Sequence, residues 1–468
     1  MPALGLIAAS ALIAVASSQP SNTYVLNGGP SLGGVTFDGV GASFTGAAAR
    51  FIFEYDDDTQ NAILDYLFAP SGAPSTASSF KGAALQIIKL EIGAGANTGF
   101  GSEPSFMPSG TDSPDTSVGW LGQLALAAVQ RNPGIKIMVT PLAFPQYLVF
   151  DPSAPDPFDN AFAVANYVAQ FVQSFSQRYA VTISHVGVWG AVSGSRLGPA
   201  DDARQSSYVQ ALRKSLNDLS LTGVQIVCAD ASSWACASAV DGGDPSLAAA
   251  VGVIGNSGTP NGAQLASAKK GLKPTWVTDF SRVNARADGA MAVASSIFSS
   301  FLTVDSKVSG WIFGTAVSTA PYGFPGYHLG LIDASQPWSG HFTTTPPMWA
   351  IAQFTQFVPV GWKIAPEASQ ASGTLVNCGN FMTFYDPQTF DFVLLLYKGR
   401  DCEDEIATFQ LADLWAELSI PSVDVWFSSF NGKSFPLPSP SPAGFSSLTC
   451  NNRASCPVPP LHRLHLRH

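Results

Sequence analysis

His185-Val186-Gly187-Val188-Trp189-Gly190-Ala191 is a short apolar run that ends in an aromatic ring and two very small residues. A near-continuously apolar stretch of this length reads as a strand buried on both faces, the kind found in parallel sheets covered by helices. Comparable runs occupy residues 35–40, 85–92, 135–142, 225–229, 251–255, 275–277 and 310–313. Helix-like segments with apolar residues at helical spacing lie between them, at 57–68, 118–130, 161–179, 206–219 and 285–301. Asn132-Pro133-Gly134 ends one of these helices, because proline cannot continue it. The alternation of eight such strands with helices predicts an α/β fold, an eight-stranded (β/α)8 TIM barrel over residues 37–357. A doubly wound sheet is the alternative, but no glycine-rich phosphate fingerprint follows the first strand.

The 468 residues suffice for a barrel and a further domain. Hydrophobic residues make up 46% and charged ones 12%, which excludes a disordered chain. A net charge of −10 leaves no basic patch to neutralise phosphates, which excludes nucleic acid as a partner. Leu4 to Ala16 is apolar, too short to span a bilayer, and Ala14-Val15-Ala16 has the small-x-small form of a signal peptidase site. Residues 1–18 are therefore expected to be a signal peptide, and no transmembrane segment is expected. The even count of six cysteines agrees with disulfides in an oxidising compartment, without fixing their pairing. No cysteine has metal-ligand spacing to histidine, so neither a metal nor another cofactor is expected.

After Val358 the texture becomes that of short β-strands, predicting a β-sandwich over 358–432 joined by the N-terminal strand in 21–36. Pro436-Leu437-Pro438-Ser439-Pro440-Ser441-Pro442 opens a Pro/Ser-rich tail, 433–468, expected to be extended.

A barrel enzyme carries its chemistry on the loops after the C-terminal strand ends. Strand two leads from Lys89-Leu90-Glu91-Ile92-Gly93 toward Thr98, strand four ends in Trp189-Gly190-Ala191, and strand five runs into Asp230. Strand seven reads Trp276-Val277-Thr278-Asp279-Phe280-Ser281, and strand eight contains Trp311, with Tyr322 beyond it. Tryptophans near strand ends are candidate platforms for the apolar face of a sugar, although ordinary core packing explains most single tryptophans. Retaining glycoside hydrolysis needs two carboxyl groups about 5–5.5 Å apart. Strand seven offers Asp279, strand four offers none, and Glu91 and Asp230 are spare.

Ile63-Leu64-Asp65-Tyr66-Leu67-Phe68, Lys89-Leu90-Glu91-Ile92-Gly93, Ser102-Glu103-Pro104-Ser105, Arg131-Asn132-Pro133, Pro321-Tyr322-Gly323, Pro337-Trp338-Ser339-Gly340-His341 and Thr355-Gln356-Phe357 follow one another in fixed order. In these stretches the chain resembles the galactosylceramidase (galactocerebrosidase) family of retaining glycosidases. The resemblance implies a barrel, a small β-sandwich, and a C-terminal lectin-like domain that would begin where this chain stops. It also implies a β-galactoside or glycolipid ligand such as galactosylceramide, and a lysosomal or extracellular location on the secretory pathway; an unidentified protein partner remains open.

The departures from the family fall where its chemistry lies. The family's acid/base glutamate follows an asparagine after the strand-four tryptophan, and those positions here are Gly190 and Ala191. Its nucleophile is a glutamate just before Asp-Phe-Ser on strand seven; here Asp279-Phe280-Ser281 is preceded by Thr278, in a segment one residue shorter. Leu142 stands for a sugar-contacting tryptophan and Thr98-Gly99 for paired threonines. No arginine follows Cys402, Arg400 being out of register. The expectation is a hydrolase scaffold with impaired catalysis; the alternative is an active glycosidase using Asp279 as a weak nucleophile with Asp230 or Glu91 as a relocated acid. Candidate ligand-contacting residues are Thr98, Trp189, Trp276, Glu91, Asp230, Trp311 and Tyr322.

Overall fold

The computed structural model of the chain describes residues 6–9, 21–28, 32–71, 82–95, 103–149, 157–189, 202–228, 240, 244–257, 273–281, 283–284, 286–302, 308–320, 329–376, 378–398, 406–412, 422–427, 446–451, 456–457 and 463–467. Three short strands come first: β1 (Leu6–Ala9), β2 (Ser21–Asn27) and β3 (Val35–Thr36). Eight more follow as β4 (Gly39–Phe44), β5 (Ile87–Ile92), β6 (Lys136–Pro141), β7 (Ile183–Gly187), β8 (Gln225–Cys228), β9 (Val253–Ser257), β10 (Thr275–Phe280) and β11 (Val308–Phe313). These eight close into a barrel in chain order, each parallel to the next, with β11 returning to β4. Helices α1 (Gly46–Phe53), α2 (Asp57–Phe68), α3 (Leu121–Arg131), α4 (Gln146–Val149), α5 (Ala161–Tyr179), α6 (Asp202–Asp218), α7 (Pro245–Ala250) and α8 (Ala287–Leu302) run between them. The expected TIM barrel is the observed one.

Local chemistry sets the helix starts. Thr45 caps α1 by accepting the Ala48 amide, and Asp56 caps α2 by accepting that of Thr59, with Asp57 and Asp58 in the first turn against the helix dipole. Asp244 caps α7, whose first position is Pro245, a residue preset for that place.

The first expected strand divides in two. Val35–Thr36 pairs with Ile364 and Lys363 outside the barrel, and the barrel strand begins only at Gly39. The apolar run is continuous across both, so it hides the point where the chain changes sheets. Phe37 and Asp38 make the crossing, their amides donating to Trp362 and Ser309 carbonyls, and Gly39 takes a φ of +127° that a side chain would resist.

Beyond the barrel, β12 (Val317–Ser318), β13 (Ile332–Gln336) and β14 (His341–Thr344) form a small sheet ahead of α9 (Pro346–Thr355). The sandwich strands are β15 (Lys363–Ile364), β16 (Gly373–Thr374), β17 (Asn380–Tyr385), β18 (Phe392–Tyr397), β19 (Ile406–Ala412), β20 (Ser422–Phe427), β21 (Ser446–Asn451), β22 (Cys456–Pro457) and β23 (Arg463–Arg467). One sheet runs β21-β20-β1-β18-β17-β15-β3, with β16 added on β17; the other runs β2-β19-β23-β22. Tyr24 of β2 touches both Phe381 of β17 and Phe409 of β19, joining the two sheets. Phe384 of the sandwich meets Phe37, Phe301 and Phe354, which seals it against the barrel's α8 and α9.

Two further segments carry strands. Leu6–Ala9, inside the stretch read as a leader, lies parallel between β18 and β20. The stretch read as an extended tail contributes β21, β22 and β23, and Arg463-Leu464-His465-Leu466-Arg467 has the period-two alternation of a strand. Among the described residues no helix is long and apolar enough to cross a membrane.

The barrel interior constrains its smallest residues. A Cβ at Gly41 of β4 would be driven into the backbone carbonyl of Ile87 on β5, which cannot move without breaking the sheet. Gly41→Ala is expected to lower stability by roughly 1–3 kcal/mol, the usual range for overpacking, read as a reduced denaturant midpoint. An unchanged midpoint would contradict the close approach of these two strands.

Candidate functional site at the C-terminal mouth of the barrel

Alternation along the strands separates inside from outside. Ile87, Met138, Val227, Val253, Trp276 and Ile312 form one buried cluster inside the barrel. Ile88, Leu90, Ile92, Val139, Val277 and Phe313 belong to the larger core beneath the helices. Successive strand residues face opposite ways, so Lys89 and Glu91 point inward with Ile87, and Thr140 points inward with Met138. Toward the C-terminal end the interior therefore changes from apolar to polar.

Strand seven breaks this alternation once. Against β9, Val277 pairs with Asn256 and Asp279 with Ser257; against β11, Val277 pairs with Trp311 and Phe280 with Phe313. One extra residue is thus inserted over 278–279, a β-bulge, the device that re-aims side chains at barrel rims. Val277 and Phe280 both stay with the outer core, leaving Thr278 and Asp279 to the mouth side. Thr278 is fully buried, and its carbonyl accepts a hydrogen bond from the Lys89 ammonium at 3.3 Å. Asp279 is half-buried, with its carboxylate against Gly314, where a Cβ would come within 2.9 Å of Oδ1.

The remaining candidates separate clearly. Trp189 lies just past β7, is 8% exposed, and packs its ring against Phe158 at 5.7 Å. Trp276 is the second residue of β10, at the opposite end of the barrel from the mouth; it is fully buried and its indole donates to Asp38 at 3.0 Å. Trp311 is also fully buried and faces outward, its indole donating to Ser296 of α8. Both are core residues with no ring face open to a sugar. Thr98, Ala191, Asp230 and Tyr322 lie outside the described residues.

Glu103 joins Glu91 at the mouth. The Gly46 amide donates to Glu91 Oε1 at 2.6 Å, while the Trp120 and Leu121 amides donate to Glu103 Oε1 at 3.2 and 3.4 Å. The two carboxyls are thus held by the first turns of α1 and α3. Burial pushes Glu91 up to about 7, against the single amide it accepts. Burial likewise pushes Glu103 to about 7, with the Glu91 charge adding to the rise and the two amides opposing it. The sequence signal for Glu91 was an acid in an all-apolar strand; for Glu103 there was none beyond a family-like motif, since a loop return sets its place. Among the described residues no group of three His, Cys, Asp or Glu side chains could hold a metal.

Residues 37–356 match glycosyl hydrolase family 59, and the chain belongs to that family. It is 30% identical to the galactocerebrosidase of Danio rerio over 442 residues, covering 90% of this chain and 61% of that one. It is 29% identical to the galactocerebrosidase of Homo sapiens over 440 residues, covering 90% of this chain and 59% of that one. The chain thus spans about three-fifths of the length of these relatives. Among solved structures, a conserved exported protein from Bacteroides fragilis superposes with a TM-score of 0.63 at 14% identity, over 84% of this chain and 92% of that one. The catalytic domain of the family GH30 xylanase C from Talaromyces cellulolyticus gives 0.55 at 16% identity, over 87% and 89%. These two likenesses concern the fold.

Proposed function

We propose that this family 59 chain binds the β-galactosyl group of a glycolipid at the C-terminal mouth of its barrel and hydrolyses it poorly or not at all. The observation that carries the reading is strand seven. Where the family pattern has a glutamate, this chain has Thr278, which is fully buried and tied through its carbonyl to Lys89. The neighbouring Asp279 reaches the mouth through a bulge, with a side chain one methylene shorter than glutamate. Strand four, where the family's proton donor would follow, reads Trp189-Gly190-Ala191. Binding by shape and hydrogen bonds survives such losses; double displacement through two carboxyl groups does not. The even cysteine count and the family together favour the secretory pathway, with a lysosomal or extracellular destination and a disulfide-bonded chain.

The test is calorimetric titration of the secreted chain with an alkyl β-galactoside, beside the matching β-glucoside. Saturable heat with the galactoside and a weaker response to the glucoside are expected. No saturable galactoside binding at millimolar ligand would sink the proposal.

A second reading has one specific observation in its favour. Glu91 points into the mouth and, pushed up to about 7, keeps its proton near neutrality, as a general acid must. An active enzyme would then pair Asp279 as nucleophile with Glu91 as acid, and the turnover measurement described in the Discussion separates it from the first.

A further inference from the structure

Glu91 and Glu103 converge on one residue, Gly46. Its amide donates to Glu91 Oε1, and a Cβ on it would be driven into Glu103 Oε2. Gly119 is equally close to the Glu103 carboxyl, and a Cβ on Gly93 would be driven into the Pro104 carbonyl beside it, so side chains at these positions would displace the carboxyl. Glu91 and Glu103 are 5% and 8% exposed. Glu103 Oε2 is buried and has no hydrogen-bond partner among the described residues. The same holds for the hydroxyl of Thr140, fully buried and paired in register with Glu91 on the inward side of β6. Two ionised carboxylates would set two buried like charges against each other here, whereas a protonated carboxyl is neutral and can itself donate a hydrogen bond.

We propose that Glu91 and Glu103 act together as a proton-holding latch at the barrel mouth, closed when the pair is protonated and loosened when both carboxyls ionise. The latch ties four elements. Glu91 holds the end of β5 to the first turn of α1. Glu103 holds the returning loop to the first turn of α3 and, through its carbonyl, accepts the Gly95 amide at 3.0 Å. The other titratable groups around this spot are Lys89 on the Glu91 strand, Tyr167 of α5 with Tyr147 beside it, and Tyr179 of α5 with Arg178 and Asp115 beside it. The Tyr167 hydroxyl donates to the Gly93 carbonyl and that of Tyr179 to the Thr116 carbonyl, so neither tyrosine serves the carboxyl pair. The Lys89 ammonium donates to the Thr278 carbonyl on strand seven. Among the described residues the partners of the two carboxyls are backbone amides and none is a cation, so a proton is the charge that can neutralise them.

Each glutamate rises from 4.5 unfolded to about 7 folded, so the folded chain holds more protons than the unfolded one between those values. Stability from the latch is therefore full below about pH 4.5 and is lost as pH rises through 7. Each extra proton held makes the folded-to-unfolded ratio fall about tenfold per pH unit across that window. His185, at the barrel's other end, works the opposite way: burial depresses it to about 3, so it disfavours the fold as pH falls below 6.5. A comparison of parent and variant cancels that contribution.

The experiment measures unfolding free energy of the full chain against pH from 4.5 to 8, beside Glu103→Gln. Glutamine accepts the Trp120 and Leu121 amides and donates from its own nitrogen at every pH, so it mimics the protonated acid. The variant is expected to lose the Glu103 share of the parent's extra pH dependence, Glu91 still supplying its own, and to be the more stable of the two at pH 8, by tenfold or more in the folded ratio. Parallel pH profiles for the two proteins would overturn the latch. If the variant does not fold, hydrogen exchange of the parent's Gly46 and Leu121 amides decides instead. Their protection, corrected for intrinsic exchange, is expected to fall at least tenfold between pH 5 and 8 relative to amides of β10 and β11, and an unchanged ratio overturns the proposal.

Discussion

On a fluorogenic β-galactoside, this chain is expected to turn over roughly 10⁴–10⁶-fold more slowly than a galactocerebrosidase carrying both family glutamates, and Asp279→Ala is expected to leave that residual rate unchanged. The magnitude comes from two independent losses. Even if Asp279 at the bulge attacked, it is one methylene short of a glutamate, and a displacement of about 1 Å at the reacting atom costs about a hundredfold, so a hundredfold is the least that strand seven loses when no carboxylate attacks there. With Gly190-Ala191 at strand four the leaving group departs without its proton donor, which costs a further ~10²–10⁴. Together these raise the barrel's kinetic barrier by roughly 5–8 kcal/mol. The assay compares the purified chain, Asp279→Ala and Glu91→Gln over pH 4–8. Turnover abolished by Asp279→Ala would sink the impaired reading and establish the second one. Glu91 acting as the acid would then show as a rate that declines as pH rises through about 7, where it loses its proton, and that Glu91→Gln removes. A flat profile in the parent would exclude Glu91 from that role.

Strand seven also explains what the sequence could and could not reveal. The expected strand stopped at Val277 because Thr278-Asp279 interrupts the apolar run, which made Trp276 look like a residue at the strand's C-terminal end. The strand continues through the bulge to Phe280, so Trp276 lies near its beginning, inside the barrel and far from the mouth. A bulge is a relation between neighbouring strands and leaves no period in one of them. Trp311 is misread for a related reason: it sits in mid-strand, and only its inward neighbour Ile312 reveals that it faces the helices. Glu91 was legible, because an acid near the end of an otherwise apolar parallel strand has few places to go except the mouth. Its partner Glu103 was not, since its position depends on where the loop after β5 returns against α1 and α3. The eight-strand rhythm itself was readable because each strand must be apolar on both faces, and that requirement is local.

Asp38→Ala is expected to cost roughly 3 kcal/mol of stability, near the lower bound for breaking a buried ion pair by removing one partner. Asp38 accepts the Lys136 ammonium at 2.5 Å, the Ser309 hydroxyl at 2.6 Å and the Trp276 indole at 3.0 Å. These partners stand on β6, β11 and β10, so one carboxylate fastens the closing strands at the barrel's N-terminal end, the face of such barrels that serves stability rather than chemistry. Burial alone would push the Asp38 carboxyl up, but the Lys136 charge and the three donors together hold it below its ordinary value. Alanine removes that acceptor and strands three donors, including a charged amine lying 5.9 Å from the Trp276 ring. The side chains of Asp38 and Lys136 keep 23% and 22% of their exposure, and water reaching them is what holds the loss to the lower bound. A group with a depressed folded value stabilises above its unfolded value of 3.8 and loses that effect as pH falls below it. The gap between parent and Asp38→Ala in denaturant unfolding should thus stay constant from pH 5 to 8 and narrow below pH 4. Lys136→Met should cost less, because Ser309 and Trp276 still satisfy the carboxylate. An Asp38→Ala loss below about 0.5 kcal/mol, within the range of ordinary surface substitutions, would mean that strand pairing alone closes the barrel; a loss that shrinks only in acid would identify the ionised carboxylate as the fastening.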